Sequence, residues 1–140
     1  MLWEEELKGR TFGVVVDTSG SVSARLLGLS LGAIASYAAA KDVGRVRVVF
    51  CDTEAYDAGY LTPEDLAGRV KVTGRGGTIL QPAVDLLEKA KDFPTAGPIL
   101  LITDGAVEDR LHIRREHAFL LPKGRKLPFA PRGKVFHLGE

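Results

Sequence analysis

At 140 residues the chain has the length of a single domain, and its 45% hydrophobic content is typical of a folded globular protein. The net charge of +1 argues against a strong overall attraction to nucleic acid or to an anionic membrane. No apolar run approaches the ~20 residues that a membrane helix needs. The acidic first ten residues lack the apolar core of a signal peptide. We therefore expect one domain over residues 1–140.

The content of oxidisable and thermolabile side chains points to the setting of the protein. Cys51 is the only cysteine, so an internal disulfide is impossible and a reducing, cytoplasmic compartment is expected. Cys51 follows an apolar run, which predicts a buried thiol rather than a reactive one. Asn is absent and Gln81 is the only glutamine, a composition that weakly indicates a thermophilic source.

The first part of the chain predicts a strand followed by a long helix. The run Val14-Val15-Val16 is β-branched throughout, which is typical of a central parallel strand covered on both faces, and it predicts a strand over 11–16. Apolar residues at three-to-four spacing predict a helix over 23–40. Gly28 and Gly32 lie inside that helix. Because glycine destabilises a helix interior, we expect close backbone packing against these two positions.

The middle of the chain predicts two strands and a short helix. Alternation over 45–51 predicts a strand that turns Val46, Val48 and Phe50 to one face and Arg45, Arg47 and Val49 to the other. A less regular alternation over 54–61 predicts an antiparallel edge strand. The sequence Thr62-Pro63-Glu64-Asp65 then predicts a helix start, with Thr as the N-cap and Pro in the first turn.

The remainder of the chain continues the alternation of helices and strands. A glycine-rich loop over 71–78 precedes a helix that starts at Gln81. That helix has Ala83, Leu86, Leu87 and Ala90 on one face. Apolar runs predict strands over 99–103, 117–121 and 134–138. This alternation predicts an α/β fold with a mostly parallel sheet, helices on both faces and one antiparallel edge strand.

Oxygen-bearing side chains follow three of these predicted elements. Asp17, Ser19 and Ser21 come directly after the first strand, Thr78 ends the glycine-rich loop, and Asp104 follows the strand over 99–103. Loops at the carboxyl ends of parallel strands meet at one edge of an open sheet. Carboxylate and hydroxyl oxygens are the ligands that Mg²⁺ prefers. The pattern therefore predicts a small, anionic metal site whose affinity for free metal is modest.

This combination resembles the metal-ion-dependent adhesion site (MIDAS) of the von Willebrand factor A (VWA) domain. The resemblance rests on DTSGS at 17–21, GRGGT ending at Thr78 and LLITDG around Asp104, and it covers residues 11–138. The chain is most similar to the short VWA-like domain at the C-terminus of bacterial putative metallopeptidases, which is typically encoded near MoxR-type AAA+ ATPases. The resemblance implies a Rossmann-like fold.

The resemblance also implies a role for each site residue and a type of partner. Ser19 and Ser21 would bind Mg²⁺ or Mn²⁺ directly, and Thr78 directly or through water. Asp17 and Asp104 would act largely through water and orient the hydroxyls. An acidic side chain of a protein partner would complete the shell, and that partner would be an AAA+ (MoxR-type) or metallopeptidase-like protein rather than nucleic acid or membrane.

The resemblance has departures, and other functions stay open. Ile79 follows Thr78 where many short relatives carry an acid, and Arg75 lies near the metal loop. No His-Glu-x-x-His motif occurs, so peptidase activity is not expected. A Mg²⁺-dependent phosphatase with Asp17 as nucleophile lacks its second acid, because Ser19 stands at that position. A degenerate, metal-free VWA scaffold is the other alternative. The sequence favours a non-catalytic interaction module.

A basic stretch near the C-terminus belongs to none of these motifs. Residues 110–134 contain eight Lys or Arg and a single acid, Glu116. A basic patch for an acidic partner or for nucleic acid is one interpretation. Because no nucleic-acid motif or aromatic interleaving accompanies it, a solvated face is the expected structure. His112, His117 and His137 lack ligand spacing and are expected to be solvated or core residues.

Overall fold

The structure, a computed structural model, describes residues 11–18, 24–67, 79–94 and 97–138. Strands and helices alternate through most of this chain. In chain order they are β1 (Gly13–Asp17), α1 (Ala24–Ala40), β2 (Val46–Cys51), β3 (Ala55–Leu61), α2 (Pro63–Ala67), α3 (Gln81–Lys89), β4 (Ile99–Ile102), β5 (His117–Pro122) and β6 (Lys134–Leu138). Each predicted strand and helix is present within a few residues of its expected bounds.

The six strands form one sheet in the order β3-β2-β1-β4-β5-β6. All neighbouring strands run parallel except β2 and β3, so β3 is the predicted antiparallel edge strand. From β1 the chain builds outward to β2 and β3 and then crosses back to β4 on the other side. The carboxyl ends of β1 and β4 therefore form the switch point where an open α/β sheet binds ligands.

Two hydrophobic clusters lie on opposite faces of the sheet. One packs α1 and Leu66 of α2 against Val14 and Val16. The other packs α3 and Phe93 against Val15. Helices on both faces explain why all five residues of β1 are buried, as its continuous β-branched run predicts.

The strand β2 keeps its predicted alternation, with Val46, Val48 and Phe50 in one hydrophobic cluster and Val49 in the other. All six of its residues are buried, and Arg47 is only 3% exposed. Burial of this guanidinium is possible because Arg47 forms ion pairs with Asp57 and Asp92. Both faces of this strand are covered, because β2 lies between β1 and β3 and contributes side chains to the clusters on both faces of the sheet.

The predicted close packing at the helix glycines is not found among the described residues. Apart from the chain neighbours and the backbone of the helix itself, none of their atoms lies within 4 Å of a Cβ built on Gly28 or Gly32. The short helix start, by contrast, forms as predicted. The Thr62 hydroxyl accepts from the Asp65 amide at 3.1 Å, and the Asp65 carboxylate accepts from the Thr62 amide at 3.2 Å. This reciprocal pair satisfies two amides at the start of α2.

The C-terminal crossovers differ from those of the first half. Residues 103–116, between β4 and β5, and residues 123–133, between β5 and β6, contain no helix. Their apolar side chains instead join the cluster on the α3 side of the sheet, among them Val107, Leu111, Leu127 and Phe129. No helix in the described part of the chain has the length and hydropathy needed to cross a membrane.

Candidate functional site

Two of the five predicted site residues lie at the switch point of the sheet. Asp17 ends β1 and Asp104 follows the end of β4, and these two strands are neighbours in parallel register. Both side chains are buried, Asp17 fully and Asp104 to 4% exposure. The topology brings these two acids to the same edge of the sheet, as the sequence predicts. Ser19, Ser21 and Thr78 lie outside the described residues.

The hydroxyl of Thr103 fixes the carboxylate of Asp17. Thr103 Oγ1 donates a hydrogen bond to Asp17 Oδ2 at 2.7 Å, across 86 residues of sequence. The same hydroxyl oxygen accepts from the amide of Gly105 at 3.2 Å. Thr103 is itself 1% exposed. A buried carboxylate needs such partners, and a hydroxyl whose acceptor role is already satisfied is oriented to donate.

Asp104 is held by the turn that follows β4. Its Oδ1 accepts from the amide of Ala106 at 3.0 Å. Within the described residues the Asp104 carboxylate forms no ion pair with a basic side chain. The next residue, Gly105, has φ +93° and would place a Cβ 2.3 Å from the carbonyl oxygen of Lys126. Only glycine fits this close approach, so the turn fixes the position of the acid.

The residues directly after Thr78 are anchored at the same edge of the sheet. The amide of Ile79 donates to the carbonyl oxygen of Asp52 at 2.7 Å. Asp52 follows the last residue of β2, Cys51, which pairs with Asp17. Ile79 therefore lies beside the end of β2, next to the strand ends that carry the acids.

Glu108 joins this anchor to the loop after Asp104. Its carboxylate accepts from the amide of Leu80 at 2.9 and 3.0 Å and from the amide of Gln81 at 3.0 Å. These amides belong to the start of α3, whose N-cap residue, Leu80, has no side chain able to accept. A carboxylate at a helix N-terminus is favoured by the free amides and by the helix dipole.

The environment of Cys51 shows how acidic this edge is. Burial raises the pKa of the Cys51 thiol strongly, and the charges of Asp17, Glu108 and Asp52 raise it further. The prediction that this thiol is buried is confirmed. The same result means that three carboxylates act on one buried atom at the end of β2. A cation at this edge of the sheet would be favoured electrostatically.

Three residues of this edge have a role that the sequence did not predict. Thr103 and Glu108 bind partners 86 and 28 residues away, and no local pattern carries that information. Asp52 is 5% exposed, and its Oδ1 accepts from the Glu54 amide at 3.0 Å. The one available signal was the strand-end position that Thr103 and Asp52 share with Asp17.

The described residues contain no ready-made cluster of metal-binding side chains. Among the described residues, no group of three or more His, Cys, Asp or Glu side chains is arranged to hold a metal ion. Asp17 and Asp104 supply two carboxylates. Any metal at this edge would therefore need oxygen ligands from residues outside the described part, from water or from a partner.

Comparisons with known proteins place the chain in a family. Residues 12–136 match the family model described as a VWA-like domain (DUF2201). The fold is similar to the crystal structure of an aerotolerance-related membrane protein from Bacteroides fragilis with multiple mutations to serines. That match has a TM-score of 0.59 at 16% identity and covers 84% of this chain and 71% of the other. No curated protein matches the chain.

Proposed function

This chain belongs to the VWA-like domain family DUF2201, and we propose that it is a protein-interaction module whose contact with its partner is completed by a bound metal ion. The observation that supports a metal is the pair of buried acids at the switch point. Asp17 and Asp104 come from neighbouring strands, and the Asp104 carboxylate has no ion pair among the described residues. A buried charge is costly unless a cation or several hydrogen bonds compensate it.

The proposed ion is Mg²⁺, or Mn²⁺ in its place, and it is weakly bound. The residues that would hold it are Asp17, Ser19, Ser21, Thr78 and Asp104. Two carboxylates and three hydroxyls are hard oxygen ligands, which suits these ions. Thr103 would hold the Asp17 carboxylate in one orientation, since its hydrogen bond engages Oδ2. A bound metal would supply a positive charge able to accept a carboxylate oxygen from a partner.

The proposed partner is a protein that presents an Asp or Glu side chain. The resemblance of the site motifs favours an AAA+ ATPase of the MoxR type or a metallopeptidase-like protein. No catalytic step is proposed for this site. Burial and the nearby acids raise the pKa of the Cys51 thiol, which disfavours the thiolate, and Ser19 stands where a phosphatase motif has its second acid. The proposed location is the cytoplasm.

Metal binding is tested by thermal unfolding with and without Mg²⁺. A ligand present at ten times its dissociation constant stabilises the native state by about 1.4 kcal/mol, or roughly 4–6 °C in Tm for a chain of this size. The increment should vanish in Asp104→Asn, whose amide oxygen can still accept from Ala106. The matched control is Asp109→Asn, an exposed acid five residues away that should keep the full increment.

The outcome of that experiment separates the proposed module from its alternatives. Equal Tm values with and without 10 mM Mg²⁺ or Mn²⁺ would contradict the metal site and leave a metal-free scaffold. Turnover of a phosphate ester that requires Mg²⁺ and disappears in Asp17→Asn would contradict the non-catalytic function. For the partner, capture of an AAA+ protein should require Mg²⁺ and be lost in Asp104→Asn but not in Asp109→Asn.

A further inference from the structure

A cavity of about 520 Å³ lies away from the acidic edge, beside β5 and on the α3 side of the sheet. The loop over 110–114 forms one wall, and Phe129, Ala130 and Arg132 form another. His117 and Phe119 of β5 complete the lining. The volume falls within the range of sites for small molecules, about 300–1,000 Å³.

Three arginines line this cavity, and none of them has a carboxylate partner among the described residues. Arg110, Arg114 and Arg132 are exposed, and within the described residues none of them forms an ion pair. The flanking acids Asp109 and Glu116 are exposed and do not line the cavity. Three guanidinium groups around one concave surface create a positive potential that attracts anions.

A fourth arginine, Arg115, directly follows this loop, and its side chain is not available for a ligand. Arg115 is half-buried, and its guanidinium donates to the carbonyl oxygens of Pro94, Gly97 and Glu88 at 2.6–3.3 Å. It also stacks 4.6 Å from the ring centre of Phe93. Arg115 therefore has a structural role, whereas the three arginines of the cavity have no such contacts within the described part of the chain, which leaves their donors for a ligand.

The loop wall of the cavity is held in place by α3. The side chain of Gln81 donates to the His112 carbonyl at 2.9 Å and accepts from the His112 amide at 2.8 Å. The carboxylate of Glu88 accepts from the Arg114 amide at 2.7 Å. These bonds fix the backbone on both sides of Ile113. A wall fixed in advance lowers the ordering cost of binding.

The floor of the cavity is aromatic and apolar. Phe119 is buried and meets Phe129 edge to face, with 5.8 Å between the ring centres. His117 meets Phe119 in the same way at 5.5 Å. Phe129 is only half-buried, so part of its surface is available beside the arginines. A cationic rim above an aromatic floor matches a ligand that has both an anionic group and a flat ring.

From this arrangement we propose that the cavity binds a small phosphorylated compound that contains a flat ring, of the size of a mononucleotide. The guanidinium groups would take the phosphate, since their planar donors match its oxygens in pairs. The ring would pack against Phe129. The site shares no residue with the proposed metal site, so either can fail without the other.

The test measures binding of AMP, inorganic phosphate and adenosine to the full chain by calorimetry, without added metal. AMP should bind at least tenfold more tightly than phosphate or adenosine. Arg114→Gln combined with Arg132→Gln should weaken AMP at least tenfold. The control, Arg25→Gln combined with Arg125→Gln, removes two exposed arginines that do not line the cavity and should leave the affinity unchanged.

A second variant tests the aromatic floor. Phe129→Leu should weaken AMP at least threefold and leave the affinity for inorganic phosphate unchanged, with unaltered circular dichroism as the check on folding. No binding of AMP up to 10 mM would overturn the proposal. Equal weakening by the control pair, or tighter binding of an oligoglutamate peptide than of AMP, would also overturn it, the last in favour of a protein ligand.

Discussion

The two lateral sides of the sheet, the β3 side and the β5–β6 side, both contain arginines, but these arginines differ in burial and in ion pairing. On the β3 side, Arg47 is 3% exposed, and its guanidinium is bonded to Asp57 and Asp92. On the β5–β6 side, the cavity arginines, among them Arg114 and Arg132, are exposed and have no ion pair among the described residues. On the β3 side, β2 and β3 form a compact hairpin, whereas on the β5–β6 side loops without a helix connect the parallel strands.

Burial decides which of these charges contribute to the stability of the fold. A desolvated charge must be paired in the native state, so its removal leaves other charges or donors uncompensated. An exposed arginine loses little hydration on folding, so its substitution changes the free energy of unfolding little. Substitutions on the β3 side should therefore change stability, and substitutions in the cavity should change only binding. The following predictions test that difference, from the largest effect to the smallest.

Asp57→Ala should have the largest effect, a loss of about 3 kcal/mol in the free energy of unfolding. The substitution leaves the buried guanidinium of Arg47 with Asp92 as its one remaining ion pair among the described residues. Urea denaturation measures the change. Asp92→Asn is the control and should cost under about 0.5 kcal/mol, because Asp92 is 59% exposed. Similar losses for both variants would contradict a role for burial.

Thr103→Val should cost about 2 kcal/mol, because the buried carboxylate of Asp17 would lose a hydrogen bond. Thr103→Ser retains the hydroxyl and should cost clearly less. The same denaturation measurement compares the two. Equal losses would mean that packing of the methyl group, rather than the bond to Asp17, is what matters. A larger loss for Thr103→Val would show that the buried carboxylate of Asp17, like the buried guanidinium of Arg47, needs its partner for stability.

Arg115→Met should lower the free energy of unfolding by about 1–2 kcal/mol, a loss between those expected on the β3 side and in the cavity. Its three carbonyl acceptors and its contact with Phe93 would be lost, but the side chain is only half-buried. The matched control is Arg114→Met in the same loop. If Arg114→Met destabilises as much as Arg115→Met, the distinction between a structural arginine and an available one is wrong.

The pairing of Asp57 should make stability depend on pH. The hydrogen bond from Arg47 holds the pKa of the Asp57 carboxyl below its usual value of 3.8, and the bond from the Gly59 amide lowers it further. Since the folded pKa is the lower one, the contribution is fully present above about pH 5 and is lost as the pH falls through the folded pKa. Asp57→Asn should therefore flatten the fall in stability between pH 5 and pH 2, as measured by denaturation.

Arg114→Gln combined with Arg132→Gln should have the smallest effect on stability, under about 0.5 kcal/mol, because both side chains are exposed. Thermal unfolding in buffer without phosphate measures it. A loss above 1 kcal/mol would show that these arginines are part of the fold and would remove the contrast with Arg47.

Local patterns were enough to predict the order of the elements. The β-branched run at Val14–Val16 gave the central strand, and Thr62 with Asp65 gave a helix start whose two hydrogen bonds are formed. The strand-end positions of Asp17 and Asp104 predicted their common edge, because parallel topology brings carboxyl ends together. The metal itself, and the hydroxyls of Ser19, Ser21 and Thr78, remain predictions.

By itself the sequence determined the α/β class and which acids follow which strands, since propensity, capping and periodicity act over a few residues. Only the tertiary structure decided the burial of Arg47, the bond from Thr103 to Asp17, the cap that Glu108 provides for α3, and the cavity lined by three exposed arginines. These features join residues that are 10 to 86 positions apart. They depend on which faces the sheet covers and on which loops meet at its edges, and no local pattern contains that information.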